Sequence, residues 1–213
     1  MGLFISLSGV IGKDVQQVEA SVRRFTQSVN GGFENGANIE DEHPNLSIVG
    51  QKGQNATILY PNDFVEWDDA SAFIAKDLQT SVFSFHIHDE DLWMFQLFYK
   101  GELVTRFNPI PDYWQEDLSD TEAQSWQGDA AAVSNYVPGL QAKEIEKYFV
   151  RWDWDDDYEG EEKAYPEDEF EYGDCWQLVD FMEKLGLEYP IDELGEIKGT
   201  KYKLWTKQLK LED

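Results

Sequence analysis

Residues 81–107 run SVFSFHIH (Ser81 to His88), DED (Asp89 to Asp91), LWMFQLFY (Leu92 to Tyr99), KG (Lys100-Gly101) and ELVTRF (Glu102 to Phe107). Three runs rich in Phe, Val, Leu and Tyr are separated by short turn-forming breaks. Aromatic and β-branched side chains suit a pleated, half-buried surface, and Lys-Gly supplies the backbone freedom of a tight turn. The stretch therefore predicts an antiparallel three-strand meander, and the fold is read outward from it.

Upstream, Leu3 to Leu7 reads as a first strand, with a turn over Gly9 to Gly12. Val15, Val18, Val22, Phe25 and Val29 then recur at spacings of three and four, the stripe of an amphipathic helix. Asp14 with Gln17 has capping-box spacing, and Asn30-Gly31-Gly32 gives the stop. Residues 31–44 read as a loop. Two short strands follow at 46–50 and 56–60, then a second helix capped by Asp68 or Asp69. Downstream, helices are expected at 120–126, 129–136, 141–150 and 174–185, and a last strand at 200–206. The order predicts an α+β fold. It consists of an antiparallel sheet with a central three-strand meander, helices packed on one face, and a helix-rich acidic C-terminal half. Residues 1–213 read as a single domain, with a soft division near 108–118 where two prolines and Tyr113-Trp114 change the texture.

Charge bounds the function. The chain has 43 acidic and 17 basic residues, a formal net charge of -26. Such a polyanion repels nucleic acid and anionic membrane and attracts basic surfaces and cations. Aromatics make up 15% of the residues, which separates this composition from that of disordered acidic tracts. Residues 101–213 carry 29 of the acids against 11 basic residues, and the five lysines between Lys198 and Lys210 form a local reversal with no acid among them. Closure of that lysine strand onto the acidic segment is one expectation. With one cysteine, Cys175, no intramolecular disulfide can form. No basic leader and no long apolar run is visible, so a cytoplasmic protein is expected. Met1-Gly2 with Ser6 has the loose spacing of an N-myristoylation site, but the segment reads better as a strand.

Two candidate sites stand out. His86 and His88 share one face of a strand, and Asp89 and Asp91 lie in the adjoining turn. Imidazole and carboxylate together make a workable ligand set for a divalent metal such as zinc. The H-x-H-x-D-H pattern of metal-dependent hydrolases fails here, because its last two positions hold Glu90 and Asp91. The plainer reading makes the histidines half-exposed strand positions and the acids a hairpin turn. The second site is Trp152, Asp153, Trp154, Asp155, Asp156, Asp157, Tyr158 and Glu159. An EF-hand register fails there: counted from Asp153 the sixth position is Tyr158, and counted from Asp155 the twelfth is Pro166. Acids interleaved with Trp and Tyr instead suit a face that binds a basic protein, the aromatics serving as anchors. No nucleophile elbow, phosphate loop, dinucleotide fingerprint or HExxH motif occurs. The expected function is thus a non-enzymatic acidic binding protein without a cofactor. A hydrolase using His86, His88, Asp89 and Asp91 is the rival.

Overall fold

The computed structural model describes residues 2–115, 117–152 and 162–212. Eight strands form one antiparallel sheet. They are β1 (Ile5–Val10), β2 (Gly32–Asn35), β3 (Leu46–Lys52), β4 (Asn55–Leu59), β5 (Ser81–His88), β6 (Leu92–Tyr99), β7 (Glu102–Phe107) and β8 (Gly199–Trp205). Their order across the sheet is β2-β8-β3-β4-β1-β5-β6-β7. Strands β5, β6 and β7 lie side by side at one end of it, so they form an edge of the sheet and not its centre. Both of their turns use left-handed backbone: Asp89 and Glu90 have φ of 54° and 66°, and Lys100 and Gly101 have 55° and 91°. Such turns match the twist of paired strands.

Helices cover both faces of the sheet, not the one face expected. On the first face lie α1 (Val15–Ser28) and α2 (Trp67–Leu78). The capping box of α1 is formed as read, with the Gln17 amide donating to Asp14 at 2.9 Å. Val18, Val22 and Phe25 bury against Val10, Ile58 and Val82 of the sheet. On the opposite face lie α4 (Ala130–Tyr136) and α5 (Gln177–Lys184), with the short exposed α3 (Asp120–Gln124) preceding them; all three lie between β7 and β8 in the chain. A second core forms there, where Leu7, Phe83, Phe85, Trp93 and Phe95 meet Val133, Tyr148 and Phe181. The reason is legible in β5. Its alternation sets Phe83, Phe85 and Ile87 toward one core and Val82 toward the other, so neither face tolerates water. Among the described residues no helix is long and apolar enough to cross a membrane.

Strand β1 runs on through Gly9 to Val10, and α2 starts at Trp67, ahead of the expected Asp68 or Asp69 cap. Three further elements differ from the expected ones. Residues 32–35, read as loop, form β2, held by β8 through Phe33 opposite Leu204 and a Phe33–Tyr202 ring stack at 4.3 Å. Gly32 is required there: a Cβ would stand 2.2 Å from the Trp205 ring. Residues 141–150 form two short 3₁₀ turns, Ala142–Glu144 and Glu146–Tyr148, in place of one helix. Ile145, with φ of -132°, breaks the helical path so that it and Tyr148 both reach the core. Helix α5 begins at Gln177 and not at Asp174. The Asp174 carboxylate accepts from the Trp176 amide at 2.8 Å and shapes the turn before the helix.

The last strand is pinned by one side chain. Asn45 is fully buried. Its amide donates to the carbonyls of Leu204 and Lys210, each at 3.0 Å, and its oxygen accepts from the Glu212 amide at 2.8 Å. Replacing Asn45 by Ala leaves these buried groups unpaired and should cost about 2–3 kcal/mol. Urea denaturation reads the cost, and amide exchange should quicken first in β8.

Candidate functional site

The hairpin brings His86 and His88 into contact, while Asp91 is committed to Tyr113. His86 is buried and stacks on Trp67 at 4.4 Å, with the rings 3° from parallel. Its Nδ1 shares a hydrogen bond of 2.9 Å with Ser6 Oγ, and its Nε2 lies 3.3 Å from His88 Nδ1. Burial lowers the His86 pKa to about 4, and it lowers that of His88 as well. His88 is enclosed by the rings of Phe4, Tyr113 and Trp114 at 4.9–5.4 Å. Asp91 accepts from the Tyr113 hydroxyl at 2.6 Å. Among the described residues no group of three or more His, Cys, Asp or Glu side chains is arranged to hold a metal ion.

Of the second expected site, residues Asp153 to Glu159 lie outside the described residues. Trp152 is described and buried in the second core, and its amide donates to the Pro109 carbonyl at 3.0 Å. It is a core residue. Ala164, on the far side of the stretch, is buried in the same core. From there the chain is fastened by two buried carboxylates. Asp168 accepts from the Tyr165 amide at 3.0 Å, and Asp180 accepts from the amides of Glu169 and Phe170 at 2.8–3.1 Å. Burial raises the Asp180 pKa, while these amides pull it back down. The lysines of the last strand do not close onto this segment among the described residues. Lys201 pairs with Asp41, and Lys198 with Asp192 and Glu196.

Three adjoining hollows flank α5. The first, of about 560 Å³, is lined by Glu90, Glu169, Phe170, Glu171, Tyr172 and Asp174. The second, of about 510 Å³, shares Glu169 and Phe170 with it and adds Trp176, Tyr189, Glu188 and Glu193. The third, of about 250 Å³, shares Trp176, Tyr189 and Ile191 with the second and ends at Asp41 and Glu42. Shared lining residues place the three hollows side by side in one groove region, where aromatic and aliphatic side chains are set among carboxylates. Trp176 and Tyr189 meet edge to face at 5.6 Å in its middle.

Comparison with protein-family models, curated proteins and solved structures finds no match for this chain. The groove itself must carry the functional reading. Sequence reasoning missed it because its walls come from many separated pieces of chain, among them β1, the loop before β3, residues 59–62, the turn before α5 and residues 188–193. The available signal was Glu188-Tyr189 with Asp192-Glu193, the same acid-and-aromatic mixture that drew attention to residues 152–159. Cys175, beside Trp176, is no rival site. Burial pushes its thiol up to about 12, away from thiolate chemistry.

Proposed function

We propose that this protein is a cytoplasmic, non-enzymatic binding protein that engages a basic protein through an acidic and aromatic face. The observation that carries the reading is the groove along α5, where Trp176 and Tyr189 lie between rims of carboxylates on a chain of net charge -26. Aromatic rings supply the buried area that gives affinity, and the surrounding negative field speeds encounter with a cationic partner. The acidic stretch Asp153 to Glu159 adds the same negative character in sequence. By analogy of composition alone, neutralisation of a basic enzyme is the role such a face suits, as an inhibitor or immunity protein does.

The test is capture on the immobilised protein from a lysate of its source organism, eluted with a rising salt gradient. A basic protein should leave at moderate salt, because screening weakens exposed charge pairs. The purified partner should bind the variant carrying Lys in place of Asp153, Asp155, Asp156 and Asp157 more weakly than the parent. Retention of no basic protein overturns the reading. So does a partner indifferent both to salt and to that charge reversal.

A further inference from the structure

We infer that the groove lined by Trp176 and Tyr189 is a docking site for an extended basic segment of the partner. That segment would lay the aliphatic stem of a Lys or Arg against these two rings and its cationic head among Glu169, Glu188 and Glu193. The inference rests on the proposed function and names what that function would recognise.

The floor and the rim call for different parts of one side chain. The floor combines Trp176, Tyr189, Val179 and Ile191, which suit methylene groups and the face of a guanidinium. The rim suits a positive head. Part of its charge is already matched: Asp192 is bridged by Lys198 at 2.6 Å, and Glu183 stands 3.8 Å from Lys52. Among the described residues no cation lies within ion-pair distance of Glu169, Glu188 or Glu193, all three of which are exposed. These are the carboxylates left for a ligand. A second copy of the chain is the wrong occupant, since two molecules each of net charge -26 repel. An extended segment fits better than a single residue. Trp176, Tyr189 and Ile191 also line the third hollow, where Asp41 and Glu42 add further carboxylates and Leu3, Ile5 and Leu46 an apolar wall. Alternating basic and aliphatic side chains would therefore meet acidic rim and apolar floor in turn.

The probe is the acetylated, amidated hexapeptide KLKRLK, titrated calorimetrically into the purified full chain. ELEELE serves as the control, and spermidine as a competitor that carries charge without an apolar side chain. Binding of KLKRLK alone is expected. Its Kd should rise about thirtyfold in Trp176→Ala or Tyr189→Ala, the loss of an interface anchor. It should rise about tenfold in the double variant Glu188→Lys with Glu193→Lys, whose exposed positions leave the fold untouched. Three results would overturn the inference: no binding by the parent protein, unchanged Kd in all the groove variants, or full displacement by spermidine at matched charge. If the groove variants are silent while the peptide still binds salt-sensitively, the peptide sits elsewhere on the acidic surface. The groove then fails and the proposed function stands. If lysate capture also yields nothing basic, both fail.

Discussion

Replacing Phe181 by Ala is expected to cost about 3–5 kcal/mol, the range for deleting a fully buried aromatic ring. Phe181 is completely buried. Its ring lies 5.1–6.4 Å from those of Phe83, Phe85, Trp93, Phe95, Tyr148 and Phe149. Six rings around one leave little room for collapse, which places the cost toward the upper end. A small domain is stable by only about 5–15 kcal/mol, so this single change consumes a large share. It also reaches the groove. Phe181, with Leu178 and Met182, fastens α5 to the sheet, and Trp176, Val179 and Glu183 line the groove from the turn before α5 and from the helix itself. Peptide affinity should therefore fall in Phe181→Ala at temperatures where the variant is still folded. Phe25→Ala provides the comparison: it opens the core on the opposite face, beneath α1, and should lose stability while keeping affinity. Urea midpoints and calorimetry on both variants read the two effects separately. A loss below about 1 kcal/mol for Phe181→Ala would mean that the aromatic cluster repacks around the gap.

That cluster shows what sequence could convey. The runs at 81–88, 92–99 and 102–107 announce strands because strand propensity and turn residues are local properties. The same holds for α1, whose stripe and capping box lie within one short segment. Strand β2 was invisible because nothing in Gly32–Asn35 specifies it. Its pairing depends on β8 at the other end of the chain, and its glycine matters only once Trp205 lies against it. The placement of the meander at an edge is of the same kind, since sheet order is decided by long-range contacts. The two faces of β5 differ: Phe83, Phe85 and Ile87 announce an apolar layer, whereas burial of Val82, Ser84 and His86 on the other face shows only once α2 lies against it. The groove was least legible. Its lining has no period, because it is assembled from irregular segments far apart in the chain. Charge could be counted in advance, but only the fold shows which carboxylates surround an aromatic floor and which, like Asp192, are already matched by a lysine.

The buried histidine sets the second large effect, on pH. His86 has a folded pKa of about 4 against the ordinary 6.5, because burial disfavours the imidazolium. Below pH 6.5 the unfolded chain takes up a proton that the folded chain refuses, so stability is full above that pH and declines as pH falls toward 4. At about 1.4 kcal/mol per pH unit the loss approaches ~3 kcal/mol. His88, whose pKa burial also lowers, adds in the same direction. Two carboxylates oppose it. Asp68 accepts from Ser84 at 2.5 Å and Gln96 at 2.6 Å, and Asp180 holds the chain before α5. Burial raises both pKa values, so each favours the folded state as pH falls through its raised value toward 3.8. The net slope mixes these contributions, and a difference measurement isolates the histidine. His86→Gln keeps a neutral polar group beside Ser6 and cannot titrate. It should be less stable than the parent at pH 7.5, having lost the Trp67 stack. The gap should close by about 2 kcal/mol or more by pH 4.5 as the parent loses its histidine contribution. Urea midpoints at the two pH values, in buffers with a chelator, provide the measurement. Parallel pH profiles for parent and variant would show that His86 takes up its proton in the folded state, with Ser6 and His88 rearranged to accept the charge.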